Sequence, residues 1–498
     1  MTEFHPGQLL MVDIPGKTLD EATAEFLRRH HIRAVCLFRK NLGSETEIRQ
    51  LTADLRALMG ESALIGIDQE GGSVIRATSL PQAPAAMALG AVGDAHLAEE
   101  VGAAVARGLR YLGINWNFAP VLDVNNNPAN PVIADRSFGA DPALVERMAR
   151  AWMRGSLREG VACCVKHFPG HGDTHVDSHF SLPCVDKSLA ELEALELKPF
   201  RALAHGSNGD LAAPAMMTAH IVYPQLDPEH PATLSRRLLT GLLRESIGFQ
   251  GVVITDALMM KAVHDRYGHA GAALLALQAG ADMPLAQGSQ AEQTDTLAAI
   301  MLAIQEGRLK LPDLRAAQQR LNALALTYPA ESRDYSPAQR ALDDALMHKA
   351  WAASLSAIGG AEPPATLQPL RVITQGQVVS TGVAEAGLPA AAVAQLFAGF
   401  ADVEYVFIAD LRLLAASDLP QDKRLNVLVS NQRARYGKAA AAARPDLHLA
   451  IWNPFQVLDI DAPAVISWGY ADGALVALKD WLAGRIEAKA RPPVRLGG

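Results

Sequence analysis

Residues 161–179 read VACCVKHFPGHGDTHVDSH, an apolar run that is followed at once by a lysine, four histidines and two aspartates. Buried strands are short apolar runs, so the first five residues predict a strand and the remainder predicts a polar loop shaped by glycine and proline. Titratable groups at this density on a loop are typical of proton transfer or of binding a polar ligand. The stretch therefore predicts both an element of the fold and a functional loop.

The same theme of apolar strand, polar strand end, Gly/Pro loop and amphipathic helix recurs through the first ~340 residues. The predicted strands lie at residues 9–14, 34–38, 64–67, 115–121, 161–165, 216–219, 252–255 and 281–285. The predicted helices between them include residues 45–58, 96–112, 143–159, 189–203, 236–247 and 268–279. Alternating strands and helices indicate a parallel sheet, and about eight units in about 300 residues are typical of a (β/α)8 TIM-like barrel. No Gly-x-Gly-x-x-Gly sequence opens the first unit, which disfavours an open dinucleotide-binding sheet.

The remainder of the chain predicts a second, smaller α/β sandwich domain. Residues from about 305 to 350 predict a helical connector, including a helix at 315–326. Strands are then predicted at residues 371–374, 405–408, 426–429, 447–452 and 464–468, separated by Ala-rich helices and followed by a last helix near 473–488. We therefore expect a catalytic barrel with its connector at 1–340 and an accessory domain at 350–498.

Composition excludes some classes of partner and suggests a compartment. A net charge of -8 over 498 residues, without a run of Lys or Arg, disfavours a nucleic-acid or membrane-surface role. The first residues lack the basic and apolar regions of a secretory signal, and no apolar segment has the length of a membrane span. Cys163 and Cys164 are adjacent within an apolar run, which predicts reduced core residues and a cytoplasmic location.

Several predicted barrel strands end in a polar side chain that could act on a ligand. In a barrel, the carboxyl ends of the strands and their loops form one open face where active residues collect. The residues at these ends or in their loops are Asp68, Asp123, Asp135, Arg136, Lys166, His167, His220 and Asp256. Each alone could be a helix cap or a structural hydrogen-bonding group, but their recurrence fits a polyhydroxylated ligand, because carboxylates and cations hydrogen-bond hydroxyl groups.

Two features of this set suit glycoside chemistry. Asp256 follows a very apolar strand, so it is either a cap for the next helix or a nucleophile that attacks an anomeric carbon. Asp177 and His179 are two residues apart, so in an extended segment the carboxylate can orient the imidazole and favour its protonated form. Such a histidine can serve first as an acid and then as a base.

The histidine-rich loop leaves other interpretations open. His171, Asp173, His175 and His179 are residue types that bind zinc or manganese, although glycine and proline separate them and they do not follow helical spacing. A purely structural loop is the third interpretation. We expect neither a metal nor a cofactor.

Six motifs occur in the order found in a known family: residues 66–72 (GIDQEGG), 117–123 (NFAPVLD), 135–139 (DRSFG), 166–179, 254–258 (ITDAL) and 279–283 (AGADM). The chain resembles glycoside hydrolase family 3, specifically its bacterial β-N-acetylglucosaminidase branch in the two-domain form. It departs from the family at Ser73, where an arginine often follows Glu-Gly-Gly, and in the second domain only residues 464–470 and the last helix resemble the family.

This resemblance implies a function and roles for particular residues. It implies a retaining mechanism with Asp256 as nucleophile and His179, paired with Asp177, as acid/base. It also implies that Asp68, Arg136, Lys166 and His167 bind sugar hydroxyls. The expected activity is an exo-β-N-acetylglucosaminidase that removes terminal GlcNAc from muropeptide fragments or chitin oligosaccharides.

Other functions remain as alternatives to this expectation. The alternatives are a phosphorylase, because an imidazole repels phosphate less than a carboxylate does, and a broader β-glycosidase. A metal-dependent hydrolase and a non-catalytic sugar-binding protein are the alternatives from other classes. The expected partner is a small carbohydrate, and the sequence predicts no oligomeric state.

Overall fold

The apolar runs of the first part of the chain form eight parallel strands that close into a barrel. The computed structural model describes residues 4–177, 182–206, 211–379 and 386–496. The barrel strands are β1 (Met11–Val12), β2 (Ala34–Leu37), β3 (Leu64–Ile67), β4 (Trp116–Asn117), β5 (Ala162–Phe168), β6 (Ala215–Thr218), β7 (Val252–Ala257) and β8 (Met283–Leu285). Each strand pairs with its neighbours in chain order, and β1 pairs with β8 to close the ring. The predicted (β/α)8 barrel is confirmed.

The strands are mostly apolar because both of their faces are covered. Every residue of β2, β3 and β5 is buried, and in the register of β2 with β3 Ala34 lies opposite Leu64 and Leu37 opposite Ile67. Parallel strands covered by helices read as continuous apolar runs because neither face meets water. This burial makes the polar residues at the strand ends stand out in the sequence.

Several helices around the barrel begin at capping residues that can be seen in the sequence. Ser44 accepts a hydrogen bond from the Glu47 amide while the Glu47 carboxylate accepts from the Ser44 amide, and Ser289 with Glu292 repeats this arrangement. Such capping boxes satisfy amides that have no partner in the first turn. The α-helices of this part of the chain are Glu21–Arg29, Glu45–Met59, Ala86–Val92, Ala95–Tyr111, Pro142–Arg158, Leu189–Ala194, Leu197–Ala204, Lys261–Tyr267, His269–Ala279, Gln290–Gln305, Leu311–Thr327 and Pro337–Ser354, and Arg237–Ser246 is a π-helix.

One predicted helix, at residues 189–203, is two helices in the structure. The first ends at Ala194 and the second begins at Leu197. Pro199 has no amide hydrogen, so a continuous helix would lose its hydrogen bond to the Leu195 carbonyl and would clash with it. Glu196, at the junction, is buried. The break therefore follows from Pro199 and from the burial of Glu196 at the junction.

The second domain is a six-stranded sheet with helices. Its strands are β9 (Ser356–Ile358), β10 (Leu370–Gln375), β11 (Val403–Ile408), β12 (Leu425–Ser430), β13 (Leu447–Ala450) and β14 (Ala464–Ile466), in the order β9-β14-β13-β12-β10-β11. All pairs are parallel except β9 with β14. The predicted smaller α/β domain is thus confirmed, while the proposed division between residues 340 and 350 stays a prediction.

The expectation of Ala-rich helices between these strands is wrong for most connections. Among the described residues, the α-helices after β9 are Ala390–Leu396 and Asp472–Leu482. The Ala-rich segment Lys438–Ala442 is a 3-10 helix, and Pro445 follows closely. A proline disfavours helical conformation at the residue before it, which limits the length of this segment.

Two further observations concern membrane-spanning helices and the cysteines. Within residues 4–177, 182–206, 211–379 and 386–496, no helix combines the length and apolarity needed to cross a membrane. Cys36, Cys163 and Cys164 are buried free thiols, and Cys184 is an exposed one. Burial raises the pKa of Cys163 to about 12, so this thiol stays protonated and behaves as a core residue.

Candidate active site

The polar residues predicted at the strand ends gather at the carboxyl end of the barrel. Asp68 follows β3, Lys166 and His167 lie near the end of β5, His220 follows β6, and Asp256 lies at the end of β7. Since parallel strands of a closed barrel all end at the same face, these side chains share one opening.

Lys166 and Arg136 bind two carboxylates in a buried group that we call the charge network, made of Asp68, Glu70, Arg136 and Lys166. Lys166 Nζ lies 2.7 Å from Asp68 Oδ1 and 2.6 Å from Glu70 Oε1. Arg136 donates from Nε and Nη2 to the two oxygens of Glu70 at 2.9 and 2.8 Å. Two cations therefore balance two carboxylates, with Asp68 the most exposed member at 20%.

Burial and charge act in opposite directions on the charge network. Burial alone would raise the pKa of Glu70, but Arg136 and Lys166 outweigh it and hold the pKa of Glu70 well below its usual range. Burial alone would lower the pKa of Lys166, but Asp68 and Glu70 outweigh it and raise this pKa. Glu70 and Lys166 are thus both charged at neutral pH.

The strand end of β3 can present these carboxylates because its loop turns tightly. Gly71 and Gly72 have φ values of 110° and 58°, and a Cβ at either would lie within 2.6 Å of residues 84 or 85. The Gln69 side chain accepts from the Arg76 and Ala77 amides at 2.9 and 3.0 Å, which closes the loop.

A second buried group orients His167. Asp123 Oδ2 lies 2.6 Å from His167 Nδ1, and Asp123 Oδ1 accepts from the amides of His167 and His171 at 3.2 and 2.6 Å. Arg136 Nη2 lies 3.4 Å from His167 Nε2. Because Arg136 can only donate, Nε2 accepts and Nδ1 carries the proton that is donated to Asp123. His167 thus joins the charge network at a fixed orientation.

Other titratable groups of the histidine-rich loop have structural positions. His171 is buried, with Nδ1 2.9 Å from Thr174 Oγ1, and burial together with His167 lowers the pKa of His171 to about 4. Burial alone would raise the pKa of Asp123, but the neighbouring His167 outweighs burial and lowers this pKa. His171 is therefore uncharged at neutral pH and suited to packing.

Asp256 is held at the end of β7 by its own backbone and by a neighbouring strand. Its Oδ1 accepts from the Ala257 amide at 2.7 Å, and the side chain is half-buried. The Ala257 carbonyl lies 3.0 Å from His220 Nε2, so His220 links the ends of β6 and β7 beside this carboxylate. Asp256 is thus fixed in place and open to the barrel mouth.

Asp135 and Ser73 form a further contact behind Arg136. Ser73 Oγ donates to Asp135 Oδ2 at 3.2 Å, and burial raises the pKa of Asp135 to about 6. Arg433, which the second domain carries, opposes that rise. The position where the family often has arginine therefore supports a buried carboxylate in this chain.

The proposed acid/base pair lies only partly within the described structure. Asp177 is half-buried and is one of the charged groups that act on Arg433. His179, the predicted acid/base, lies outside the described residues. The alternative of a metal site at His171, Asp173, His175 and His179 also includes that residue, and the described part of the chain holds no cluster of three His, Cys, Asp or Glu side chains that could bind a metal.

The structure adds residues that the strand-end argument did not assign to the site. Glu70 lies in the quoted motif at residues 66–72 without a predicted role of its own, and it binds both cations. Arg433 comes from the second domain, about 300 residues from its partners, and no local pattern in the sequence points to it.

The sequence and the fold match a family of known proteins. Residues 1–324 match the family described as "Glycosyl hydrolase family 3 N terminal domain". The chain belongs to glycosyl hydrolase family 3. The family 3 β-N-acetylglucosaminidase structure from Paenibacillus sp. str. FPU-7 matches at 32% identity and a TM-score of 0.85, covering 98% of each chain. The resemblance noted from the sequence is therefore confirmed.

Curated relatives match part of this chain. "Beta-hexosaminidase" of Chromobacterium violaceum is 39% identical over 303 residues, covering 59% of this chain and 83% of that protein. "Beta-hexosaminidase A" of Pseudoalteromonas piscicida is 35% identical over 356 residues, covering 65% of this chain. This match spans 58% of the Pseudoalteromonas protein, less than two thirds of its length.

Proposed function

We propose that this chain is a retaining exo-β-N-acetylglucosaminidase that removes terminal, non-reducing GlcNAc from small oligosaccharides. Its family and the names of its relatives support a glycoside hydrolase of the β-N-acetylhexosaminidase type. The observation that carries the proposal is Asp256 at the mouth of the barrel, on the same face as the charge network.

Asp256 is the proposed nucleophile. Its carboxylate attacks the anomeric carbon as the bond to the leaving oxygen breaks, which forms a covalent glycosyl-aspartate. In the second step a water molecule attacks the same carbon and releases Asp256. The hydrogen bond from the Ala257 amide favours the ionised carboxylate that this role requires.

His179 is the proposed acid/base, with Asp177 orienting it. The protonated imidazole gives its proton to the leaving oxygen in the first step and takes one from water in the second. Asp177 favours the protonated form by its charge. The histidine-rich loop that carries both residues is anchored at His171 by Asp123.

The charge network is the proposed grip on the sugar ring. Asp68 shares one oxygen with Lys166 and has acceptor capacity left for a hydroxyl group. Lys166 uses two N–H groups on carboxylates and can donate the third, while His167 lies beside Arg136 at the same strand end. Arg136 gives Nε and Nη2 to Glu70 and Nη1 to the Val132 carbonyl, so its sugar contact must use a remaining N–H.

The natural substrate and location are part of the proposal. Muropeptide fragments and chitin oligosaccharides both present a terminal β-linked GlcNAc, the group that the site would bind. We place the protein in the cytoplasm, acting in cell-wall recycling, where free thiols such as Cys36 and exposed Cys184 persist.

A screen of aryl β-glycosides tests the proposed activity. We expect kcat/KM for release of 4-nitrophenol to be at least about 100-fold higher for the β-GlcNAc glycoside than for the glucose or xylose glycosides. A site that hydrogen-bonds the N-acetyl group is left with unpaired polar groups when the sugar lacks that group. The measurement is initial rate at varied substrate concentration, with and without phosphate and after dialysis against EDTA.

Each alternative activity gives its own outcome in this screen. Formation of GlcNAc-1-phosphate would assign phosphorolysis, equal rates on all three sugars would assign a broader β-glycosidase, and loss of activity with EDTA would assign a metal-dependent hydrolase. Ligand binding without turnover would contradict the enzymatic proposal.

Replacement of His179 by alanine tests the acid/base. We expect kcat/KM to fall about 100-fold for phenyl β-GlcNAc and less than about threefold for the 2,4-dinitrophenyl glycoside, because only the poor leaving group needs a proton. Steady-state rates on both substrates give the comparison, with His230→Ala as a histidine control; His230 lies outside the site, on the antiparallel hairpin of strands Val222–Tyr223 and Asp227–Pro231. Equal losses on both substrates would mean that His179 is not the acid/base.

A further inference from the structure

Two arginines of the second domain reach the loop that follows β4 of the barrel. Arg433 Nη2 donates to the Val132 carbonyl at 2.6 Å, and Arg435 Nη1 donates to the Pro128 carbonyl at 3.0 Å. The Val132 carbonyl also accepts from Arg136 Nη1 at 3.2 Å. The second domain therefore holds the same loop that the charge network holds.

The second domain fixes both arginines before they reach the barrel. Asn453 Nδ2 donates to the Arg433 carbonyl at 2.7 Å, and Gln456 Nε2 donates to the Gln432 and Ala434 carbonyls at 2.9 and 2.7 Å. The Arg435 guanidinium is bound by both oxygens of Asp459 at 2.6 Å. Because these segments are fixed in advance, the contacts cost little conformational entropy when they form.

The barrel loop held by these arginines in turn holds the histidine-rich loop. The buried Asn130 donates from Nδ2 to the carbonyls of His171 and Gly172 at 2.8 and 3.0 Å, while its Oδ1 accepts from the Val132 amide at 2.9 Å. Asn127 Nδ2 lies 3.3 Å from His175 Nδ1. One side chain, Asn130, thus joins the segment that Arg433 contacts to the segment that precedes Asp177.

Charge connects the same two ends directly. The Arg433 side chain is half-buried; burial lowers the pKa of its guanidinium, and the charges of the Asp135 and Asp177 carboxylates oppose that lowering. In a region of low dielectric constant, such an attraction stabilises the position of Asp177 more than it would in water. Among the described residues, Arg433 Nε is buried without a hydrogen-bond acceptor, so this side chain is held mainly by Val132 and by charge.

We propose that Arg433 and Arg435 are positioning residues through which the second domain sets the place of the acid/base loop. Loss of these contacts would let residues 127–133 move, and with them Asn130 and the backbone leading to Asp177. The inference rests on the proposed function, because it assigns the second domain a part in the proton-transfer step.

The test compares substrates that differ in their need for a proton. For Arg433→Ala we expect kcat/KM to fall about tenfold for phenyl β-GlcNAc and less than about threefold for 2,4-dinitrophenyl β-GlcNAc. The loss on the phenyl glycoside is smaller than that expected for His179→Ala, because the acid is displaced and not removed. Arg435→Ala should also lower kcat/KM more for the phenyl glycoside than for the 2,4-dinitrophenyl glycoside. Arg433→Lys keeps a charge and one donor for the Val132 carbonyl and should restore most of the loss on the phenyl glycoside.

Arg412→Ala is the matched control. Arg412 lies in the second domain and is bound by both oxygens of Asp410, as Arg435 is by Asp459, but its side chain is 62% exposed. It should leave both rates within about twofold of wild type, as expected for an exposed ion pair. Equal losses on both substrates in Arg433→Ala, or no loss, would overturn the positioning role. A wild-type protein that cleaves neither glycoside would instead refute the proposed function.

Discussion

Asp256→Ala is expected to lower kcat for release of 4-nitrophenol from its β-GlcNAc glycoside by about 10⁴-fold or more, as for removal of an enzyme nucleophile. The carboxylate lies at the end of β7, half-buried and bound by the Ala257 amide, and alanine has no group that could attack in its place. The glycosyl-enzyme then cannot form. Initial rates at saturating substrate, measured at high enzyme concentration, give the residual turnover.

The product formed with azide distinguishes loss of the nucleophile from general damage. In Asp256→Ala, azide can attack from the vacated side and give an α-glycosyl azide, whereas a variant that lacks the acid/base gives the β-azide after two displacements. Asp265→Ala is the matched control, because Asp265 lies on the helix that follows and its side chain is 68% exposed. Turnover by Asp256→Ala within tenfold of wild type would show that another group attacks, such as the acetamido oxygen of the substrate.

The barrel could be predicted from the sequence because its strands are buried on both faces. β3 occurs at the residues predicted, 64–67, since an apolar run between Ser62 and Asp68 leaves little choice of where the strand lies. β4 was predicted over 115–121 but consists of Trp116–Asn117. The apolar residues beyond it, such as Phe118, are buried by side-chain packing that a pattern of hydrophobic residues cannot distinguish from strand pairing.

The site was predictable where it depends on strand ends and not where it depends on distant contacts. Asp68, Lys166 and His167 were predicted to share one face because all strands of a parallel barrel end there, and the structure places them in one group with Arg136. The role of Glu70 depends on the tight turn at Gly71, which sets its side chain between two cations. Arg433 depends on how two domains pack, which no local pattern contains.

Lys166→Met is expected to lower the free energy of unfolding by about 3 to 5 kcal/mol, the cost of breaking a buried ion pair. Lys166 is 2% exposed and neutralises both Asp68 and Glu70, so its loss leaves buried carboxylates with one remaining cation, Arg136. Sugar binding should be lost as well, because Asp68 would no longer be oriented. Urea unfolding at pH 7, followed by circular dichroism, measures the change.

The pH dependence of the stability lost in Lys166→Met shows whether the charge network causes that loss. The pKa of Glu70 is lower in the folded than in the unfolded protein, so Glu70 stabilises the fold above its unfolded pKa, and that contribution is lost as the pH falls. Lys166 has a raised pKa, so its contribution is present at neutral pH and is lost only in strong base. The difference in the free energy of unfolding between Lys166→Met and wild type should therefore narrow below about pH 4, where carboxylates of the unfolded chain are protonated.

Lys40→Met is the matched control. It removes a lysine that is 48% exposed and pairs with Asp13, and it should cost less than about 1 kcal/mol at every pH. A loss in Lys166→Met as small as that of Lys40→Met, or one independent of pH, would show that the charge network does not stabilise the barrel.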